Sequence, residues 1–249
     1  MTKKGKLDMH VKEKILLDRQ GLEQYGPINI VIFGDSVSHG ALRDTIDYEN
    51  VYWNVLKKKF NQFRDYMPVN MINASIGGTT AKASLKRMEN HVFCHNPDLV
   101  IICFGLNDVN LPLEDYLDAL KQIFRRCREC GCDAIFMTPN MLNTYVADDT
   151  PAQYRDYAFK TAEMQNSGKM DRYIHAAAEL ATDMGITLCD CYSQWKKLSQ
   201  TQDTTLLLAN RINHPTSDMH NLFADALYDI IMGSAQTETD SESSMFKES

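Results

Sequence analysis

Short apolar runs bounded by turn residues recur along the chain. Five of them, mostly rich in isoleucine, valine, phenylalanine and leucine, span residues 28–33, 69–72, 99–104, 134–138 and 186–189. Runs that are this short and apolar throughout are typical of strands buried on both faces of a parallel sheet. The pattern therefore predicts five parallel strands.

Helical periodicity fills most of the chain between and after these runs. Amphipathic segments predict helices over residues 51–63, 80–93, 113–130, 169–184, 192–198 and 218–232. The regular alternation of strands and helices predicts an α/β fold, a three-layer α/β/α sandwich with right-handed crossovers.

Both ends of the chain depart from this alternation. Residues 1–25 are expected to be an N-terminal extension, folded as one amphipathic helix that docks on the domain or on a partner. Its apolar face would carry Val11, Ile15, Leu16 and Leu22. Residues 234–249 are polar and acidic without periodicity, a composition that predicts a disordered tail.

The segment over residues 139–168 also lacks a strand. A short helix is predicted around residues 152–161. A connection this long is often functional, so we expect either a lid over a site or a surface excursion. Tyr145, Tyr154 and Tyr157 lie in this segment, where they either stack on a sugar or simply pack.

Composition and charge narrow the classes of function. Of the 249 residues, 44% are hydrophobic and 24% charged, which is ordinary for a globular protein with a sizeable core. The net charge of −7 argues against nucleic acid as a partner. No apolar stretch approaches the roughly 18 residues of a membrane span, and charges interrupt residues 7–20, so no span or signal peptide is predicted. A cytoplasmic location is expected, and the oligomeric state is left open.

The cysteines do not form a recognisable framework. Their odd number, seven, without an export signal favours reduced thiols over disulfides. Cys127, Cys130 and Cys132 are spaced like half of a zinc site, but no second Cys/His pair follows at finger spacing. Structural thiols are therefore favoured over zinc, and no metal is predicted.

Residues suited to acyl transfer follow the first three predicted strands. Ser36 comes directly after the first, with Gly34 ahead of it; a glycine pair ending at Gly78 follows the second, and Asn107 follows the third. In an open parallel sheet, ligands bind beyond the carboxyl ends of the strands, where these loops converge. A serine nucleophile there would find oxyanion donors in glycine N–H groups and an amide. Each residue alone is equally typical of a turn, so the hypothesis depends on their conjunction.

His214, which precedes Pro215 near the C-terminus, supplies the base that such a serine needs. A serine hydroxyl is a poor nucleophile near neutral pH until an imidazole within hydrogen-bond reach takes its proton. The other histidines have weaker claims, because they lie in the extension, on or just beyond predicted helices, or in the turn after the serine. They are His10, His39, His91, His95, His175 and His220.

Together these segments resemble the SGNH (GDSL-type) hydrolase family, whose sequence blocks carry the same residues in the same order. Gly34-Asp35-Ser36 is similar to block I, residues 73–78 (Asn-Ala-Ser-Ile-Gly-Gly) to block II, residues 105–108 (Gly-Leu-Asn-Asp) to block III and His214-Pro215 to the end of block V. The resemblance covers residues 28–232, so we expect an SGNH hydrolase domain over residues 26–233.

The resemblance implies a flavodoxin-like sheet with the strand order 2-1-3-4-5. It also implies Ser36 as the nucleophile and His214 as its base. The N–H groups of Ser36 and Gly78 and the amide of Asn107 would form the oxyanion hole. Neither a metal nor a cofactor is required.

One position departs from the family pattern. The family usually has an aspartate three residues before the histidine, where this chain has Arg211. Because an arginine side chain has no acceptor, we expect the imidazole to donate to the backbone carbonyl of Arg211 or to the amide oxygen of Asn210. The departure also leaves open an inactive relative that binds acylated glycans.

The activity that this sequence predicts is ester hydrolysis through a serine acyl-enzyme. The first-ranked substrate is an acetyl ester of a carbohydrate or small metabolite. Alternatives are a lipase, a lysophospholipase or a thioesterase, and the inactive glycan-binding relative. A flavodoxin-like module that binds phosphate at the same sheet edge is a further alternative, although the usual glycine-rich phosphate loop is missing after the first strand.

Overall fold

The computed structural model describes residues 10–64 and 66–233. Its strands are β1 (Ile28–Gly34), β2 (Val69–Asn73), β3 (Leu99–Cys103), β4 (Asp133–Met137) and β5 (Thr187–Cys189). Within the described residues they form one parallel sheet in the order β2-β1-β3-β4-β5. The predicted fold class and strand order are therefore confirmed, and every strand end lies within one residue of its predicted position.

Helices cover both faces of the sheet. In the described ranges the α-helices are α1 (Val11–Ile15), α2 (Arg19–Tyr25), α3 (Ser36–His39), α4 (Tyr52–Phe63), α5 (Ala81–Ser84), α6 (Met88–His91), α7 (Leu113–Cys130), α8 (Arg155–Asn166), α9 (Lys169–Asp183), α10 (Cys191–Leu198) and α11 (His220–Met232). α4 packs against α11, while α5, α7 and α9 pack together on the other face. Right-handed crossovers require helices on both faces, because the direction of travel across the sheet reverses after β2. The connection from β1 to β2 therefore lies on one face, and the connections from β2 to β5 lie on the other. None of these helices is long and apolar enough to cross a membrane.

The change of direction leaves a crevice at the carboxyl ends of β1 and β3. These two strands pair in the middle of the sheet, and the chain leaves them toward opposite faces. Such a topological switch point is where ligands bind in open α/β sheets. Both strands are almost wholly buried, and Phe33 meets Phe104 edge-on with 5.3 Å between ring centroids. The loops at this crevice therefore start from a well-packed core.

The described part of the N-terminal extension forms two short helices, so the prediction of one helix is wrong. α1 ends at Ile15, and Asp18 begins α2 by accepting a backbone N–H at 2.8 Å. A side-chain acceptor that caps a new helix competes with continuation of the old one. As a result Leu16 is 54% exposed, whereas Val11, Ile15 and Leu22 are buried.

α1 docks at the amino ends of β1 and β3 through a buried lysine. Lys14 Nζ lies 2.9 Å from Asp98 Oδ2, and both side chains are only 10% exposed. The same ammonium donates to the Pro27 carbonyl at 2.9 Å. Residues 1–9 and 234–249 lie outside the described residues, so the disordered tail and the domain bounds at 26–233 stay predictions.

The single helix predicted over residues 80–93 is also wrong. A 3₁₀ turn at Leu85–Arg87 separates α5 from α6, and a second turn follows at Phe93–His95. At the first break the Arg87 guanidinium turns inward and donates to the carbonyls of Gly34 and Ala74. It therefore ties the end of β1 to the end of β2.

The segment over residues 139–168 is hydrogen-bonded to the chain before His214. A 3₁₀ turn at Ala152–Tyr154 leads directly into its helix, α8, so helical structure begins where it was predicted and ends later, at Asn166. The Asn140 amide donates to the Asn213 carbonyl at 2.9 Å, and the Asn143 N–H donates to the Ile212 carbonyl at 2.9 Å. The segment thus supports the stretch of chain that leads to His214.

Candidate active site

Ser36 lies directly beyond the carboxyl end of β1, at the switch point. It begins the single-turn helix α3, which Asp35 caps by accepting a backbone N–H at 3.1 Å. The turn requires Gly34, because a Cβ at this position would clash with Ser38 and lie 2.7 Å from the Cys103 carbonyl oxygen. Close packing therefore fixes the backbone that presents the serine.

His214 reaches Ser36 from the C-terminal region. Its Nε2 lies 2.9 Å from Ser36 Oγ, although the two residues are 178 positions apart in the sequence. The carbonyl of His214 accepts the Ala209 N–H at 2.7 Å, and the Thr216 N–H donates to the Leu207 carbonyl at 2.9 Å. These bonds hold the backbone on both sides of the imidazole.

The other ring nitrogen of His214 has a partner that the sequence did not indicate. Nδ1 lies 2.6 Å from the carbonyl oxygen of Leu42. An acceptor at this nitrogen fixes its proton there and leaves Nε2 as the acceptor. The prediction that Asn210 or the Arg211 carbonyl would orient the ring is therefore wrong.

Asn210 and Arg211 instead shape the turn before His214. Asn210 Oδ1 accepts three backbone N–H groups, up to that of His214, at 2.9–3.0 Å. Arg211 has a left-handed backbone with φ 60°, and its Nε lies 3.0 and 3.1 Å from the two carboxylate oxygens of Asp149. Both side chains are thus committed to loop structure.

Leu42 is presented by a tight hairpin over residues 41–46, closed by an antiparallel bridge. At the foot of this hairpin Asp47 accepts a hydrogen bond from Ser217 Oγ at 2.6 Å, which lowers the pKa of Asp47 to about 2. Because Ser217 follows His214 by three residues, this bond links the hairpin to the chain that carries the imidazole.

The environment keeps the imidazole of His214 neutral. Burial lowers its pKa from the ordinary histidine value, and the bond to Leu42 opposes this shift. The neutral form is the one that can accept a proton. Near neutral pH the ring is therefore ready to act as a base.

Gly77 and Gly78, in the loop after β2, lie beside Ser36. Gly78 has φ 72°, a conformation that favours glycine. A Cβ added at Gly77 would lie 3.7 Å from Ser36 Cβ, so the second loop passes close to the serine. In the part of the chain that the structure describes, the N–H groups of Ser36 and Gly78 donate to no protein acceptor. They are suited to bind an oxygen of a ligand.

Asn107 completes this edge of the site. Its Nδ2 donates to the Thr79 carbonyl at 3.1 Å and, more weakly, to Asp35 Oδ2 at 3.3 Å. Burial raises the pKa of Asp35 to about 7, and burial does the same for Asp108 next to Asn107. The Asn107 amide is therefore held by one hydrogen bond of ordinary length and one long one. The carboxyl groups beside it take up a proton more readily than exposed aspartates.

A cavity of about 420 Å³ opens beside the serine. Its walls include Ser36, Gly78, Asn107 and His214, so the structure brings these four predicted residues together. Arg43 also lines the cavity. No motif in the sequence indicates it, and its position in the loop after the serine is the one available signal.

The segment over residues 139–168 contributes one wall of this cavity. Tyr154 and Tyr157 line it and are 46% and 37% exposed. Tyr145, in contrast, lines another surface and donates to Asp203 at 2.7 Å. Two of the three tyrosines considered for sugar stacking therefore face the site.

The other described histidines do not line the cavity. His39 Nε2 lies 3.0 Å from the Tyr48 hydroxyl. His220 is stacked on Tyr52, and burial lowers its pKa to about 4. Among the residues that the structure describes, no cluster of three histidine, cysteine, aspartate or glutamate side chains could hold a metal.

The sequence also matches known proteins. A family model described as the GDSL-like Lipase/Acylhydrolase family matches residues 32–222. An uncharacterized lipoprotein, YqeF of Bacillus subtilis (strain 168), is 32% identical over 134 residues, which are 50% of this chain and 53% of that protein. The chain thus spans about half the length of this curated relative.

Solved structures share the fold. Axe2, an acetylxylan esterase from Geobacillus stearothermophilus, is 19% identical, with a TM-score of 0.64 over 83% of this chain and 94% of that chain. LAE5, an alpha/beta hydrolase enzyme from the metagenome of Lake Arreo, Spain, is 21% identical, with a TM-score of 0.63 over 83% of this chain and 95% of that chain.

Proposed function

This chain belongs to the GDSL-like lipase/acylhydrolase family of carboxylic ester hydrolases, and we propose that it removes short acyl groups, acetyl above all, through a serine acyl-enzyme. The alcohol part of the substrate would be a carbohydrate or a small metabolite. The observation that carries the proposal is the distance of 2.9 Å between Ser36 Oγ and His214 Nε2, both of which line the cavity.

The proposed reaction begins with proton transfer from Ser36 Oγ to His214 Nε2. The serine oxygen attacks the ester carbonyl, and the imidazolium that forms is held by its Nδ1–H bond to Leu42. His214 then gives the proton to the leaving alcohol as the tetrahedral intermediate collapses to the acyl-enzyme. In the second half, water gives a proton to Nε2 and attacks the acyl group, and Ser36 regains its proton as the acid leaves.

The oxyanion of each tetrahedral intermediate would lie against the N–H groups of Ser36 and Gly78. Asn107 supplies the third donor when its amide exchanges the long bond to Asp35, 3.3 Å, for the oxyanion. The shorter bond to Thr79 stays in place during this exchange and preserves the orientation of the amide. Donors positioned before the reaction stabilise the developing charge most effectively.

Three features support a short acyl group on a sugar-sized alcohol. The cavity of about 420 Å³ falls within the range of small-molecule sites. Exposed faces of Tyr154 and Tyr157 are suited to stack on a sugar ring. The fold is shared with a protein named as an acetylxylan esterase. The cytoplasmic location stays a prediction, beside a relative that is named a lipoprotein.

The proposal is tested with nitrophenyl acetate, butyrate and octanoate. We expect kcat/KM to fall as the acyl chain lengthens, and Ser36→Ala to remove the activity on all three esters. Ser199→Ala is the matched control and should behave as wild type, because this hydroxyl lies at the end of α10, donates to the Lys196 carbonyl and does not line the cavity.

The outcomes separate the alternatives. Unchanged turnover by Ser36→Ala would rule out the serine mechanism. A preference for octanoate would favour a lipase, and the absence of turnover by wild type on every ester would favour an inactive binding relative.

The pH profile gives a second test. Because His214 acts as a neutral base and burial lowers its pKa, activity should persist below pH 6.5 and fall only as the pH drops through that lowered value. Measuring kcat/KM for acetate across the acid range checks this. The titration of His214 is assigned by NMR as the imidazole signal that is missing from His214→Ala. An acid limb centred at or above pH 6.5 would contradict the prediction.

A further inference from the structure

The cavity beside Ser36 has one cationic wall, and we propose that Arg43 binds an anionic group, a carboxylate or a phosphate, on the alcohol part of the substrate. The inference rests on the proposed esterase function and extends it to the class of substrate. It assigns a role to a residue that lies outside the catalytic set.

The charge of the cavity is the first observation. Among the described residues that line it, Arg43 is the one with a permanently charged side chain. The others are glycine, alanine, proline, isoleucine, serine, asparagine, tyrosine and the neutral His214. No carboxylate is among these lining residues, although the whole chain has a net charge of −7. The charge that lines the cavity is therefore opposite in sign to the net charge of the protein.

Arg43 is also weakly paired within the protein. Its Nε lies 3.5 Å from an oxygen of the adjacent Asp44, and the two side chains are 43% and 74% exposed. An exposed pair at this distance contributes little and is screened by solvent. An anionic ligand that enters the cavity can therefore replace Asp44 as the partner of the guanidinium at a small cost in free energy.

The other arginine and carboxylate nearby are already committed to each other. Asp149 holds Arg211 at 3.0 Å, and Arg211 also donates to the carbonyls of Leu206 and Leu208 at 2.9 Å. Both Arg211 and, to a smaller degree, Arg43 lower the pKa of Asp149, so the three groups are neighbours. With Asp149 occupied by Arg211, Arg43 remains the cation that faces the substrate.

The position of Arg43 identifies which part of the substrate it meets. It follows Leu42, whose carbonyl bonds His214, and it lies near Asp149, which is paired with Arg211 in the turn before His214. Arg43 therefore lies on the His214 side of the cavity. The leaving alcohol faces His214 because that residue protonates it, whereas the carbonyl oxygen of the ester faces Gly78 and Asn107. The planar guanidinium fork matches carboxylate and phosphate oxygens in pairs. Arg43 is thus suited to an anion on the alcohol.

The test compares three acetyl esters of similar size. They are an O-acetyl methyl glucoside, the corresponding O-acetyl glucuronate and an O-acetyl glucose phosphate. We expect wild type to show a kcat/KM about tenfold higher for at least one anionic ester than for the neutral one. Arg43→Gln should reduce this ratio to about one. Because the ratio is taken within each variant, a general loss of activity cancels.

A control variant and a binding measurement accompany these rates. Arg172→Gln, an exposed arginine on α9, should retain the ratio of wild type. Calorimetry on Ser36→Ala and on Ser36→Ala/Arg43→Gln measures ester binding without turnover, and only the first should prefer an anionic ester. A preference for one anion alone supports the inference and identifies it as carboxylate or phosphate.

Two results would overturn the role of Arg43: equal kcat/KM for neutral and anionic esters in wild type, or a preference that survives Arg43→Gln. If wild type hydrolyses none of the esters, the proposed function fails. The binding measurement then still decides the role of Arg43, because it needs no turnover.

Discussion

His214→Ala is expected to hydrolyse acetyl esters on the order of 10⁴-fold more slowly than wild type, with a much smaller change in KM. Nε2 of His214 is the group bonded to Ser36 Oγ among the described residues. Without it the hydroxyl must attack while still protonated, and the leaving alcohol departs without a proton donor. The loss therefore falls on the chemical steps.

The measurement is kcat and KM with nitrophenyl acetate for wild type, His214→Ala and His175→Ala. His175 is exposed on α9 and controls for the loss of an imidazole in general. Free imidazole added to His214→Ala should restore part of the rate, because it can enter the space left by the ring. Activity within tenfold of wild type in His214→Ala would mean that another group takes the proton.

Asn107→Ala is expected to lower kcat by about 10²–10³-fold, the usual cost of losing one oxyanion donor. The substrate carbonyl carries little charge before attack, so KM should change by a smaller factor. Asn166→Ala is the matched control, since its amide donates to the Thr144 carbonyl at 2.8 Å on an exposed surface. Both variants are compared with wild type under the same ester concentrations.

The amide of Asn107 also joins loops through Thr79 and Asp35, so thermal unfolding is measured beside kcat. A fall in kcat at an unfolding temperature close to that of wild type supports the oxyanion role. An unchanged kcat with a lower unfolding temperature would show that Asn107 only holds the loops together.

The strands, and the positions of two site residues, could be predicted because each depends on local sequence. Five apolar runs specified the strands, and the alternation of strands and helices specified the fold class, whereas the strand order came from the resemblance to the SGNH family. Ser36 and Asn107 each follow a strand by a few residues, so a parallel sheet carries both to one edge. No long-range information was needed to place them there.

The acceptor for His214 could not be predicted, because every residue has a backbone carbonyl. Leu42 is 172 positions from the histidine, and only the folded hairpin brings its oxygen to Nδ1. The sequence instead drew attention to the residues just before His214. Asn210 and Arg211 are occupied by the turn that their own side chains stabilise.

The two predictions of a single unbroken helix were wrong for a different physical reason. Amphipathic periodicity ran through residues 80–93, but it does not record that Arg87 turns inward to the strand ends. At the N-terminus the periodicity continued past Asp18, whose carboxylate favours a new start over continuation. In both places one polar side chain outweighed the preference of the whole segment.

The use of a main-chain oxygen beside His214 changes which mutations the enzyme tolerates. A triad aspartate is lost by a single codon change, whereas replacing the Leu42 side chain leaves its carbonyl where it is. An insertion or deletion between Ser36 and Asp47 would not be tolerated, because the hairpin would then present a different carbonyl, or none, to His214 Nδ1. Among homologues we therefore expect the length of this loop to be constant. Its composition, including the residue at position 43, can vary with the substrate.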